Sequence, residues 1–356
     1  MRLHITLFLG IFSVMALSNA IVPVLPSYDP GSGMQGAIFA AYFLGGFVIT
    51  LPAGVLSDRW GRIPFIRLGL AITVTSGIFL AMSSSAVLVI LLRFMEGLGA
   101  GLFVAATMSA VNRDPDHVHL SGWLMASLNL GLVFGLLLSG WLAGILKDRA
   151  SGILLFTAIT VVPAVCSFVV RETPSPSAGH EPGFVVAYIV QYRWLWYSSL
   201  VLVGVTGVLT SLYPEFSDAS PDILGLWIAG MSSATIAAVI IYSRIKTDPV
   251  ATIRWSAVLM GAGVFLTFYS AAGFLLIGAL AGVVMIAQMA FLAGTREHQG
   301  IVMGLFSTTS YLGMALLPFV AGLVAEGSGF LFTFALTALC AVSVAGTIGR
   351  CRGTGG

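Results

Sequence analysis

Apolar residues in this chain arrive in long unbroken runs, not in the two-residue alternation of strands or the one-sided stripe of a soluble helix. A bilayer core about 30 Å thick takes about 20 apolar residues per helix. On that scale the runs predict spans near 3–26, 34–56, 63–83, 86–110, 119–146 and 151–170, then near 194–213, 222–243, 251–270, 273–293, 300–325 and 328–349. The expected fold is therefore all-α and membrane-embedded, with twelve transmembrane helices in two halves, 1–170 and 194–356. A linker, 171–193, joins them: it starts rich in Pro, Ser and Gly, and its later part, Phe184 to Tyr192, predicts a short amphipathic helix at the membrane interface. The opening run, Met1 to Ala20, imitates a secretory signal with Ser18-Asn19-Ala20 as its cleavage site. Its apolar character continues to Pro23-Val24-Leu25-Pro26, long enough to span, so it is expected to stay as the first helix.

Composition sharpens this picture. Of 356 residues, 58% are hydrophobic and only 8% charged, with mean hydropathy +1.01. A soluble domain carries about 25% charged residues, so lipid is the expected outer solvent. If the N-terminus is cytoplasmic, all but three of the sixteen basic residues fall inside: Lys147 and Arg149 lie outside and Arg93 lies within a span. The acids divide almost evenly. Lys/Arg asymmetry without Asp/Glu asymmetry is what the positive-inside rule requires, so both termini are expected in the cytoplasm of a cell-membrane protein. A net charge of +2 and the lack of a basic stripe argue against nucleic acid.

The halves also repeat. At an offset of 182 residues Gly122 matches Gly304, Gly131 matches Gly313 and Gly140 matches Gly322, while Asn129 falls opposite Tyr311. Six spans per half start both halves on the same side, giving parallel repeats with a solute site near mid-membrane.

Between the second and third spans lies Gly54-Val55-Leu56-Ser57-Asp58-Arg59-Trp60-Gly61-Arg62. Gly54 would let helices approach, Gly61 permits a tight turn, and Asp58 can accept charge-assisted hydrogen bonds. This segment resembles the loop signature Gly-x-Leu-x-Asp-Arg-x-Gly-Arg of the major facilitator superfamily, and the twelve-helix plan agrees. The resemblance implies that Gly54, Asp58, Arg59, Gly61 and Arg62 form a cytoplasmic latch holding the outward-open state. The matching connection in the second half, Ser243 to Pro249, keeps charges but loses both glycines and reads as a decayed copy.

The fourth span holds the sequence's only intramembrane charges, Arg93 and Glu96, in Leu92-Arg93-Phe94-Met95-Glu96-Gly97-Leu98-Gly99-Ala100-Gly101. Three residues apart, they share one helical face. A charge at mid-membrane costs about 2.5–3.5 kcal/mol even on the low scale, so such residues face a cavity or a partner. Two readings stand: a self-neutralising pair that fixes helix packing, or a pair that handles solute or protons. Desolvation favours Glu96 holding a proton and the guanidinium favours its release. The segment resembles the family's Arg-x-x-Gln-Gly-x-Gly-Ala motif, with Glu96 in place of glutamine, and that resemblance implies proton coupling. In the fifth span, Gly131, Gly135, Ser139 and Gly140 resemble a degraded antiporter motif, with Leu136 where the family has proline. Gly131, Gly135 and Gly140 serve equally as a small-residue packing face. Asn19, Tyr42, Asn129, Gln288 and Tyr311 are further polar residues within spans, each a helix–helix hydrogen bond or a solute contact. Trp194, Trp196, Tyr197 and Trp227 are expected in interfacial belts.

No paired acids, His-Glu-x-x-His helix, P-loop or metal-ligand spacing is present, so no enzyme, cofactor or metal is expected. His117 and His119 lack a completing ligand, and no filter-like segment suggests a channel. The expectation is a monomeric secondary transporter for a small organic solute, driven by H+ and surrounded by lipid. Export of amphipathic compounds leads. Uptake of a nutrient or metabolite follows, and a non-transporting receptor or scaffold on the same fold is the remote alternative.

Overall fold

The structure, a computed structural model, describes residues 2–112, 114, 116–169, 183–245, 247–294 and 299–350. It contains thirteen α-helices and two short 3-10 helices, with no strand among the described residues. The first half comprises α1 (Arg2–Ala20), α2 (Ser32–Trp60), α3 (Arg62–Met82), α4 (Ala86–Asn112), α5 (His117–Leu146) and α6 (Ser151–Ser167). After α7 (Gly183–Gln191) come α8 (Arg193–Phe216), α9 (Pro221–Tyr242), α10 (Pro249–Tyr269), α11 (Gly273–Gly294), α12 (Gln299–Ser328) and α13 (Phe330–Thr347). Among the described residues, eleven helices are long and apolar enough to cross a membrane, and α6 is a shorter apolar helix of 17 residues. These are the twelve expected spans.

Local chemistry sets the ends. Pro23 and Pro26 lack backbone donors, and the chain after α1 tightens into a 3-10 helix, Val22–Ser27. Asp248 caps α10, its carboxylate accepting from the Ala251 amide at 2.8 Å, with Pro249 in the first turn. Arg67 of α3 donates to the carbonyls of Ser167 and Phe168 at 3.1 and 3.3 Å, supplying donors that the end of α6 lacks. The linker residues 170–182 lie outside the described ones. The short helix expected over 184–192 is α7, which buries Tyr188 and leaves Ile189 and Val190 exposed.

The chain divides into two compact units. The first is Met1–Pro30, Ala37–Gly179 and Ser217–Ala229; the second is Gly31–Gly36, His180–Phe216 and Gly230–Gly356. Each half thus exchanges one helix end: the first turn of α2 belongs to the second unit and the start of α9 to the first. Glycine crossings show the repeat at work. In the first unit a Cβ on Gly131 of α5 would meet the Phe12 carbonyl of α1, and one on Gly135 the Ala16 carbonyl. In the second unit Gly313 of α12 lies in the same way against the Leu200 carbonyl of α8. Gly140 meets the Pro221 carbonyl in the first unit, and Gly322 the Ser32 carbonyl in the second. Two of the three glycine pairs 182 residues apart therefore make equivalent backbone contacts, which places small residues where helices in lipid gain most from close packing, whereas a Cβ on Gly122, of the third pair, meets nothing within 4 Å.

Polarity runs opposite to that of a soluble protein. Leu339, Phe332 and Leu91 are exposed, whereas Arg93, Glu96, Gln35 and Gln288 are buried. One end of the second unit is closed by aromatic rings: Tyr213 on Phe274 at 4.7 Å, and Phe216 against Phe268, Phe330 and Phe334 at 5.0–5.4 Å.

Candidate functional site

The site is built on α4. Its helical turn brings Arg93 and Glu96 together: Arg93 Nη1 donates to Glu96 Oε2 at 2.7 Å, with the two side chains 1% and 0% exposed. Over the guanidinium lies Tyr42 of α2, its ring centroid 4.6 Å from Arg93 Cζ. Glycine makes that approach possible. Gly97 lies against the Tyr42 carbonyl, and Gly45 of α2 lies against the Phe94 carbonyl. One turn on, Gly101 meets Ile49 and Thr50 of α2, while Gly99 faces away, against the Gly69 carbonyl and Thr73 of α3. The Gly97-Leu98-Gly99-Ala100-Gly101 run thus serves two neighbours, seating α2 by two glycines and α3 by the third.

A desolvated ion pair offsets its cost only where its remaining polar atoms also find partners. Here they do not all find them: Arg93 Nε and Glu96 Oε1 are buried and make no hydrogen bond to the described residues. The pair therefore keeps one donor and one acceptor in hand, suited to a solute acceptor at Arg93 and to a proton or solute donor at Glu96.

The other expected residues lie as follows. Asn19 ties α1 to α5, its Nδ2 donating to the Leu132 carbonyl at 3.2 Å. Asn129 donates at 2.8 Å to the Met125 carbonyl one turn back on α5 and is half-buried. Gln288 of α11 is fully buried and donates to Ser198 Oγ of α8 at 3.0 Å. Tyr311 of α12 is half-buried in the second unit. Next to Ser198 in the chain, Ser199 shares a hydrogen bond of 3.1 Å with Ser310, so α8, α11 and α12 carry polar contacts in the second unit.

At the α2–α3 turn, Gly61 sits at φ 91°, in the left-handed region where a side chain would be strained. Arg62 is buried, and its Nε donates to Ser109 Oγ of α4 at 2.8 Å. Arg59 is exposed, and the Asp58 side chain lies outside the described residues. Gly54 departs from its expected use: a Cβ there meets nothing within 4 Å, so close helix approach does not require it in this conformation. The supposed decayed copy in the second half has a different use, because Asp248 is the α10 cap. Trp196 also departs from expectation. It is buried and donates from Nε1 to the Tyr188 carbonyl at 3.0 Å, so it anchors α7 onto α8 instead of joining a belt. His119 accepts from Trp123 Nε1 at 3.0 Å, and no metal-binding cluster occurs among the described residues. Tyr42 was readable as a polar residue in a span, but nothing in spacing announces that it lies over Arg93. That contact is set by glycines on two different helices.

Among the described residues, the first unit of this all-α fold holds one fully buried ion pair, Arg93–Glu96. The chain belongs to the Major Facilitator Superfamily, whose profile matches residues 7–242. It is similar to an uncharacterised MFS-type transporter of Mycobacterium tuberculosis, 28% identical over 189 residues, covering 51% of this chain and 27% of that one. The multidrug resistance protein MdtG of Klebsiella pneumoniae is 29% identical over 188 residues, covering 49% of this chain and 45% of the relative. The quinolone resistance protein NorA of Staphylococcus aureus is 26% identical over 144 residues, covering 38% and 37%. The chain therefore spans less than half the length of these curated relatives. Among solved structures, the fold is similar to that of the nucleoside transporter NupG, with TM-score 0.79 and 13% identity over 98% of this chain and 99% of that one. A bacterial homologue of the human lysosomal transporter Spinster gives the same TM-score and identity over 98% and 96%.

Proposed function

We propose that this chain is a secondary transporter that moves a small organic solute by alternating access, with proton binding at Glu96 driving export of an amphipathic, drug-like compound. The observation that carries the reading is the sealed Arg93–Glu96 pair with an unused acceptor on Glu96. Neutralising Glu96 removes the charge that holds Arg93 in place, and the guanidinium then has its ring contact with Tyr42 and whatever solute acceptor reaches it. One proton thus changes both the charge and the hydrogen-bonding capacity of the site, which is the differential interaction a coupled carrier needs. The names of MdtG and NorA support the export direction. The Lys/Arg asymmetry supports cytoplasmic termini, and the single-glycine turn at Gly61, with Arg62 held by Ser109, supports a latch at the α2–α3 turn. Asn129, Tyr311, Asn19 and Gln288 are assigned to the solute pathway, and the working unit is a monomer in lipid.

Expression in a host lacking its own efflux pumps tests the reading, with ethidium accumulation as the readout. Cells carrying the wild-type chain should retain less dye than empty cells, and Glu96→Gln should return retention to the empty-cell level at equal membrane expression. Dye retention unaltered by Glu96→Gln would remove Glu96 from the mechanism.

A further inference from the structure

We propose that the end of the second unit where α8 and α10 begin and α13 stops binds the phosphate of an anionic membrane phospholipid, through Arg193, Arg254 and Arg350. Arg193 opens α8, Arg254 lies in the second turn of α10, and Arg350 ends the 3-10 helix Ile348–Arg350 that follows α13. That 3-10 helix packs on α8, α10 and α13, so it draws the three arginines to one place. Two of them share one indole: Arg193 Cζ lies 5.5 Å and Arg350 Cζ 5.4 Å from the Trp194 ring centroid. The third is seated by a glycine. A Cβ on Gly349, the neighbour of Arg350, would collide with Nη2 of Arg254.

Basic residues at a membrane boundary need no ligand where each side chain reaches out to water on its own. These three are exposed but converge, two on a ring and one on a glycine. Among the described residues none of them meets a carboxylate; the ion pairs there are Arg93–Glu96 and His119–Asp116. Asp248, the acid nearest to Arg254 along α10, is engaged in capping the Ala251 amide. Like charges gathered in this way repel, and an anion offsets that cost. A guanidinium over a ring face keeps its in-plane N–H donors for an oxyanion, and its fork matches a phosphate. Basic clusters between membrane helices at the interface hold anionic lipid head groups. The apolar surroundings select a lipid over a free phosphate. Trp255, beside Arg254, is 67% exposed, and Leu259 one turn further along α10 is exposed as well. On α13, which crosses α10 at Gly261, Val342 and Leu339 are exposed. Those side chains lead from the arginines into the spans and offer acyl chains an apolar bed that inorganic phosphate would leave unused.

The test uses the full chain in detergent, with native mass spectrometry counting retained lipid and a thermal melt reading stabilisation. The probes are phosphatidylglycerol, phosphatidylcholine with the same acyl chains, and inorganic phosphate. Wild type should retain phosphatidylglycerol roughly tenfold or more over phosphatidylcholine and melt higher with it, while inorganic phosphate should not raise the melt. Arg193→Gln, Arg254→Gln and Arg350→Gln should each cut that retention roughly fivefold, the worth of one basic residue near an anionic membrane surface. Arg244→Gln, which removes an exposed charge just after α9, should leave it unchanged. Equal retention of the two lipids by wild type overturns the site, and does so without any variant. Retention that survives all three site substitutions overturns it too. So does a loss in Arg244→Gln as large as in the site variants, because the lipid then answers to net charge. Stabilisation by inorganic phosphate equal to that by phosphatidylglycerol shows a free-phosphate site and overturns the lipid assignment.

Discussion

At the scale of single residues, the account rests on two charges that are costly to bury and not fully satisfied. Removing one partner of such a pair leaves the other uncompensated, at about 3–5 kcal/mol. Arg93→Ala should therefore lower the detergent-solubilised melting temperature sharply. The double substitution Arg93→Met with Glu96→Leu should recover much of the stability, since apolar replacements of buried pairs are often neutral or better. It should recover no transport. Recovered transport in the double variant would reduce the pair to a packing device. The pair itself was legible, because two charges three residues apart in an apolar run must share a face. The place of Tyr42 over Arg93 was not, because that contact comes from another helix and no spacing encodes it.

At the scale of elements, apolar runs announced the spans, but their ends answered to particular residues. Pro23 and Pro26 turned the end of the first run into a 3-10 helix, and Asp248, read as a worn latch, is a helix cap. Asp248→Ala should cost about 1 kcal/mol, the usual worth of such a cap. A thermal melt that does not move would dismiss the cap as ornamental. The glycines of α4 set a harder limit. A methyl on Gly97 would collide with the Tyr42 carbonyl, a backbone atom that cannot turn aside. Gly97→Ala should force α2 from α4, cost about 1–3 kcal/mol by overpacking, and pull the Tyr42 ring off Arg93. Tryptophan fluorescence melts and dye export should both register the change. Full stability and export in this variant would contradict the described crossing.

At the scale of the whole molecule, two units carry the same helix plan with different chemistry. Gly131 with Gly313 and Gly140 with Gly322, each pair 182 residues apart, make matching backbone crossings, so this part of the repeat visible in sequence corresponds to real packing. Ion-pair chemistry sits in the first unit, while Gln288, Ser198, Ser199 and Ser310 give the second a neutral polar seam. Family membership and the all-α fold could be read from the loop signature and the span count. The solute could not, because no residue in either unit names one. The central claim is that proton binding at Glu96 drives solute movement. Its most direct measurement is ethidium uptake into inverted vesicles under an imposed pH gradient, interior acidic, with and without collapse of that gradient by nigericin. The account predicts accumulation by the wild-type chain that nigericin abolishes and that Glu96→Gln does not support. Gradient-dependent accumulation of equal size in Glu96→Gln would contradict it.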